Sequence, residues 1–249
     1  MNTIRLEDLK DHLVGGGRVE RAGNRARLVL PPTSSQTYAD AQLDNYPHAL
    51  PRVFISHPPL RLCVRVRCSH PAGKLKGTAG FGFWNHPFTR GGDVIAPPQH
   101  VWFFYNSPES DLALAPGMPG WGLKASVLNA SRPGITRLLQ ARGARTLANA
   151  VLRLPLVREV AAGFAKHALR AREAPISLDL TEWHAFELEW RSDAARFSVD
   201  GIEVLRAAHP PSEPLGFVAW IDNYRASTRR HGFAFVETTE VQWVELEWE

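Results

Sequence analysis

Cysteine is scarce, with two residues in 249. They lie in Leu60-Arg61-Leu62-Cys63-Val64-Arg65-Val66-Arg67-Cys68, which alternates as a strand does. The odd spacing sends the two thiols to opposite faces, so a bond between them would break that strand. No disulfide framework is expected, and both are read as free thiols of a cytoplasmic protein. Long hydrophobic runs are missing as well. The apolar runs are short and interrupted by Arg, well under the roughly 20 residues that span a bilayer. Residues 1–13 place Glu7, Asp8 and Asp11 where a secretory leader carries its apolar stretch, so no such leader is expected.

Cofactor signatures are also lacking. Gly15-Gly16-Gly17 is not followed by Lys-Ser/Thr, and neither Gly-x-Gly-x-x-Gly nor Gly-x-Ser-x-Gly occurs in a fitting context. Ten histidines do not assemble into His-Glu-x-x-His or a close His-x-His, and there is no paired Cys. Neither a cofactor nor a metal is expected. A composition of 44% hydrophobic and 22% charged residues excludes global disorder and fibrous architecture.

Most of the chain reads as short strands punctuated by Pro, Gly, Asn and Asp. One set covers 25–30, 60–68, 79–84, 100–106 and 121–128; a second covers 185–190, 195–199, 202–205, 215–222, 232–237 and 241–248. Phe186, Leu188 and Trp190 alternate with Glu187 and Glu189, the period of a half-buried strand. Asp200-Gly201 supplies a two-residue hairpin turn. The expectation is an all-β jelly-roll sandwich forming one domain over 1–249.

One stretch departs from this pattern. Leu138, Leu139, Leu147, Ala150, Val151 and Leu154 follow a helical period, Pro155 interrupts, and Val157, Val160, Ala161, Phe164 and Ala168 resume it. A helical hairpin inserted at 135–172 is expected, since so short a segment seldom supports a core alone. It holds seven Arg and Lys166 against Glu159, in a chain of net charge +4. Such a segment is either the solvated side of two helices or a surface for an anionic partner. Nucleic acid is disfavoured, because the aromatics are not interleaved with Lys or Arg along a groove.

Glu182-Trp183-His184-Ala185-Phe186-Glu187-Leu188-Glu189-Trp190, followed by Ala195-Arg196-Phe197-Ser198-Val199-Asp200-Gly201, resembles a signature of concanavalin A-like lectin/glucanase domains. It looks most like family 16 glycoside hydrolases, the laminarinases and lichenases. Gly80-Phe81-Gly82-Phe83-Trp84 is similar to that family's Phe-Trp strand, and Leu215 to Asp222 to its strand beside the cleft. The resemblance spans about half of the chain and implies the fold more than the activity. In the family, a strand soon after the Phe-Trp motif carries Glu-x-Asp-x-x-Glu or Glu-x-Asp-x-Glu, the carboxylates of retaining hydrolysis. The matching strand here, His100-Val101-Trp102-Phe103-Phe104-Tyr105-Asn106, has none. The nearest acids, Glu109 and Asp111, lie beyond Ser107-Pro108.

That strand is apolar on both faces, with Trp102 and Phe104 on one and Val101, Phe103 and Tyr105 on the other. Both faces are therefore expected to be covered. The inserted hairpin is the expected cover, as roof of an aromatic pocket or as a plug that fills it. Val218, Trp220 and Asp222 share one face of their strand, with Phe217, Ala219 and Ile221 on the other, so Trp220 and Asp222 should face the cleft. Burial beside Trp220 should raise the pKa of Asp222; the alternative is an Asp tied to Asn223 or Arg225 in a strand-end turn. Candidate acid/base groups are Asp222, His86 and His100, with Glu109 as the nearest loop acid. Trp84, Trp102, Phe104, Tyr105, Asn106, Trp220 and Tyr224 are candidate substrate contacts. His184 is expected to be structural. The expected ligand is a hydrophobic small molecule undergoing cyclisation, elimination or isomerisation, as some carboxylate-less relatives of the fold imply. A carbohydrate binder or diverged glycosidase, and a non-catalytic binding protein, are the alternatives.

Overall fold

The computed structural model describes residues 4–47, 53–87, 96–131, 170–226 and 234–249. In chain order these form a 3-10 turn at Leu6–Asp8 and then β1 (Lys10–Val14), β2 (Arg18–Ala22), β3 (Arg25–Leu30), β4 (Asp40–Asp44) and β5 (Leu60–Cys68). They continue with β6 (Thr78–Trp84), β7 (Gln99–Asn106), β8 (Gly122–Asn129), β9 (Arg170–Ile176) and β10 (His184–Trp190). The last are β11 (Ala194–Val199), β12 (Ile202–Ala208), β13 (Gly216–Asp222) and β14 (Gln242–Trp248). Two seven-stranded sheets result, ordered β1-β4-β13-β6-β7-β8-β9 and β12-β11-β10-β5-β14-β3-β2.

The core lies between the sheets and follows from alternation. Val101, Phe103 and Tyr105 of β7 and Phe217, Ala219 and Ile221 of β13 turn inward from the first sheet. Leu60, Leu62, Val64 and Val66 of β5 and Phe186, Leu188 and Trp190 of β10 meet them from the second. The contact is aromatic: Phe103 packs edge-on against Phe186 and Phe197, with ring centroids 4.9 and 5.1 Å away. Such geometry adds to the area these rings bury. Trp190 can be fully buried because its Nε1–H donates to Pro211 O at 2.8 Å.

The hairpin after β11 is built as its sequence requires. Asp200 and Gly201 both take positive φ, 50° and 79°, the backbone of a type I′ turn. The Asp200 carboxylate accepts from Ala185 N at 2.8 Å and pairs with His184 Nδ1 at 2.6 Å. These contacts hold its pKa below the usual carboxylate range, first through the His184 bond. His184 is thus a structural residue. Cys63 and Cys68 are both free thiols, and burial pushes Cys68 up to about 12.

Four strands are not expected from the sequence: β1, β2, β4 and β9. The inserted hairpin, for residues 132–169, lies outside the described residues. Its expected end is corrected: residues 170–172 open β9, paired along β8 with Ala171 buried opposite Leu128. The strand expected at 232–237 is also corrected over its described part. There Phe235 makes only an isolated bridge to Tyr224, and Thr238 one to Thr33.

Candidate active site

The outer face of the first sheet, turned away from the core, carries the candidate residues. Register places them in rows. Asp40, Asp222, Thr78 and Asn106 face one another across β4, β13, β6 and β7; Gln42, Trp220, Gly80 and Phe104 form the next row; Asp44, Val218, Gly82 and Trp102 the one after. Trp102, Phe104, Val218, Trp220 and Tyr46 form a buried apolar cluster, with Phe54, Trp84 and Leu112 packed against it.

The Gly-Phe-Gly-Phe-Trp sequence of β6 makes this cluster possible. Phe81 and Phe83 point into the core, leaving Gly80 and Gly82 on the outer face. A Cβ on Gly80 would fall 2.6 Å from the Trp220 ring, and one on Gly82 2.6 Å from Trp102 Cβ. The glycines form a trough, and the two tryptophans lean into it with ring centroids 5.1 Å apart. Trp102 also stacks on Phe104 at 5.4 Å and on His100 at 4.2 Å.

Asp222 sits at one end of this platform, 8% exposed. Its Oδ1 accepts from Thr78 Oγ1 at 2.7 Å and Tyr224 N at 3.0 Å, and its Oδ2 from Tyr38 OH at 3.2 Å. Thr78 Oγ1 in turn accepts from Trp220 Nε1 at 3.0 Å, so the platform and the carboxyl share one hydroxyl. Burial raises the Asp222 pKa to about 6 despite those three donors. These partners take the place of the bonding to Asn223 or Arg225 that the sequence leaves open. Tyr224 follows the end of β13 and meets Asp222 through its backbone.

The other candidates divide. Trp102, Phe104 and Trp220 come together as expected from alternation, and Trp84 packs against them. His86 borders them: it takes a positive φ of 37°, and its ring meets Tyr46 and Trp84 at 5.4 and 5.0 Å. His100 lies on the same face but is 2% exposed, bonded to Ser126 Oγ at 2.8 Å. Burial pushes its pKa down to about 3, so it is a neutral ring at physiological pH. Tyr105 is corrected: it is in the core, donating to Leu75 O at 2.9 Å and accepting from Gly73 N at 3.0 Å. Its odd position on β7 sends it to the other side from Trp102. Glu109 lies in the turn after β7 and pairs with Lys76. Desolvation would raise its pKa, but the Lys76 bond and charge together with bonds from Ser107 and its own backbone N–H outweigh this and hold it below the usual range.

Asn106 is fully buried at the Asp222 end, and neither Oδ1 nor Nδ2 of its amide has a hydrogen-bond partner among the described residues. The same holds for Trp102 Nε1 and Asp40 Oδ1. Such groups are costly to bury unsatisfied, and they lie on one face of one sheet.

Several site residues are not found from sequence. Asp40, Tyr38 and Thr78 surround Asp222; the alternation Asp40-Ala41-Gln42-Leu43-Asp44 is the available signal. Lys124 and Glu173 make a buried pair on β8 and β9, Nζ to Oε1 3.6 Å, their side chains 0% and 2% exposed. Lys124 Nζ also donates to Leu112 O at 3.0 Å, and Glu173 Oε2 accepts from Leu114 N and Ala115 N, each at 2.9 Å. Together they tie the 112–115 segment down beside the aromatic cluster. Burial lowers the Lys124 pKa, though Glu173 opposes this.

This two-sheet, antiparallel arrangement is the concanavalin A-like jelly roll. No protein-family model and no curated protein matches the sequence. Among solved structures, the chain is similar to a native glycosidic hydrolase, with TM-score 0.50 and 12% identity over 98% of this chain and 90% of that one. It is also similar to the GlcNAcα1-4Gal-releasing endo-β-galactosidase of Clostridium perfringens, with TM-score 0.48 and 9% identity over 98% of this chain. It spans 59% of that enzyme's length. For the catalytic domain of an endo-1,3-β-glucanase (laminarinase) of Thermotoga petrophila, the values are 0.44 and 12%, over 92% of this chain and 79% of that one. At these identities the likeness is one of fold. Within the fold, β7 carries His100, Trp102, Phe104 and Asn106 on its outer face and no carboxylate. Among the described residues, no helix is long and apolar enough to cross a membrane.

Proposed function

We propose that the outer face of the first sheet binds an apolar small molecule and that Asp222 exchanges a proton with it, in a cyclisation, elimination or isomerisation. One observation carries the reading. A carboxyl whose pKa is raised to about 6 lies at the end of a platform made by Trp84, Trp102, Phe104 and Trp220. A carboxyl poised near neutrality both takes and gives protons efficiently. Aromatic walls exclude water and favour an apolar substrate. The Asn106 amide and Trp102 Nε1, without partners among the described residues, supply the few polar contacts that would orient it.

A second reading is a carbohydrate site, with tryptophan faces stacking on sugar rings. The scaffold is similar to that of a glycosidic hydrolase, and Glu109 is the first acid after β7 in the chain. Two measurements separate the readings. Titration with N-phenyl-1-naphthylamine, followed by tryptophan fluorescence, should show saturable binding. Incubation with laminarin, lichenan, agarose or carrageenan should release no reducing ends above background. Hydrolysis abolished by Glu109→Gln, with no binding of the naphthylamine, would replace the first reading by the second.

A further inference from the structure

Asp222 is not alone. Asp40 is its direct cross-strand partner between β4 and β13, so both side chains leave the sheet on the same face. Opposed residues hold their Cβ atoms about 4.5–5.5 Å apart. Both are buried, 3% and 8% exposed. The backbones leave little freedom here: a Cβ on Gly17 would fall 2.0 Å from Asp40 O, and one on Gly77 1.9 Å from Asp222 O.

The two carboxyls have unlike surroundings. Asp222 accepts from Thr78, Tyr224 N and Tyr38, three donors that favour its anion. Asp40 Oδ1 has no partner among the described residues. Facing Asp40 are Val14 across β1, with His12 two pairs further along; Asp222 across β13; Asp44 on its own strand; and Tyr38, two residues before it and bonded to Asp222, with Tyr224 close to Tyr38. Two of these neighbours are acids. Two carboxylates at this separation do not both ionise readily, and the proton settles where the anion is served worse.

We propose that Asp40 and Asp222 form a proton-sharing pair in which Asp40 carries the proton and Asp222 the charge. Burial, then Asp222, then Asp44 drive the Asp40 pKa well above the ordinary carboxylate range, in agreement with the geometry. The use of the proton rests on the acid/base reading above; its placement does not. Within that reading the roles divide. Asp222 takes a proton from the substrate, Asp40 gives one to it, and transfer from Asp222 back to Asp40 restores the pair. No proton is gained or lost overall, as an isomerisation or cyclisation requires, and no co-reactant is needed.

The test is carbon-13 NMR titration of the aspartate carboxyl groups in the whole protein, in the parent and in Asp40→Asn and Asp222→Asn. In the parent, Asp222 should titrate first and Asp40 last. Asp222→Asn should lower the Asp40 midpoint by about one pH unit or more, because an anionic neighbour is gone. Asp40→Asn should leave the Asp222 midpoint nearly unmoved, because Asp222 ionises opposite a neutral Asp40 and the amide is neutral too. The reverse asymmetry, or both carboxyls titrating in the ordinary range, overturns the proposal. Should either variant fold poorly, urea unfolding of the parent against pH decides the same question. A folded-state pKa raised above the unfolded one makes stability fall as pH rises through it. A continued fall above the Asp222 step supports a protonated Asp40, and a flat profile there overturns it. Pair behaviour as expected in a protein that binds no naphthylamine would sink the acid/base reading and leave the proton placement standing.

Discussion

The two outer faces of this sandwich are built from the same alternation and end in opposite states. On the second sheet, β5 turns Arg61, Arg65 and Arg67 outward against Glu187, Glu245 and Glu247 of its neighbours. Trp183 and Trp243 there lie under guanidinium groups, Arg67 standing 4.7 and 5.4 Å from their ring centroids. That face meets water. On the first sheet, β7 and β13 turn Trp102, Phe104 and Trp220 outward, and these are buried together with Asp222, Asp40, Lys124 and Glu173. The Lys124–Glu173 pair on the first face has lost its solvent, whereas the Arg61–Glu187 pair on the second has not. The same chemistry therefore carries different weight on each, and substitution can measure the difference.

The largest effect is expected at Glu173. Its carboxylate compensates a fully buried Lys124 and holds the backbone of Leu114 and Ala115. Glu173→Ala strands the ammonium and should cost about 3–5 kcal/mol in urea unfolding at pH 7, as removal of one partner of a buried pair does. A cost under about 1 kcal/mol would mean that this pair behaves like those of the second sheet. Next comes Trp102, which touches His100, Trp84, Phe104 and Trp220. Trp102→Ala should weaken N-phenyl-1-naphthylamine binding by about 1–3 kcal/mol, the scale of one well-buried aromatic contact. Trp243→Ala on the opposite sheet should leave that binding unchanged.

His100 distinguishes the faces by pH. Its folded pKa is near 3 against an ordinary 6.5, so the folded state binds fewer protons than the unfolded chain between those values. Stability is then lost as pH falls below 6.5, at up to about 1.4 kcal/mol per pH unit from this group. Asp222 acts in the opposite sense below about 6, because its folded pKa is raised. His100→Gln should remove the acid-side loss while leaving the Asp222 and Asp40 contributions, so its stability should gain on the parent's as the pH is lowered from 6.5 to 5. Equal slopes in parent and variant would show that His100 is protonated within the fold.

How much of this is legible in the sequence follows from where the information resides. Strands with a strong local period, β5, β7, β10 and β13, are expected close to their observed bounds, and the face assignment of Trp102, Phe104, Trp220 and Asp222 comes from parity alone. The hairpin turn also follows from local sequence, and the structural role of His184 from the family resemblance. β1, β2 and β4 do not, since Lys10-Asp11-His12-Leu13-Val14 and Asp40-Ala41-Gln42-Leu43-Asp44 are polar and short and acquire meaning only through their partners. The Asp40–Asp222 pair joins residues 182 positions apart through register, which no local pattern encodes. Lys124 and Glu173 escape sequence reasoning for the same reason. Tyr105 looks like a site residue as an aromatic of the right strand, although its parity already places it inside.

The smallest effect belongs to the second sheet, and it bounds the comparison from below. Arg61 Nε and Glu187 Oε1 are 2.7 Å apart, a close contact whose side chains are 50% and 34% exposed. Water competes for both partners, and two flexible side chains must be held in one arrangement. The Arg61–Glu187 coupling energy from a double-mutant cycle with Arg61→Ala and Glu187→Ala should lie within about 0.2–1 kcal/mol and shrink further in roughly 1 M salt. The Lys124–Glu173 pair has the longer separation, 3.6 Å, yet should resist the same salt, since ions do not reach it. If the two couplings respond alike to salt, then burial is not what separates the two faces, and the first sheet's outer face is as open to solvent as the second's.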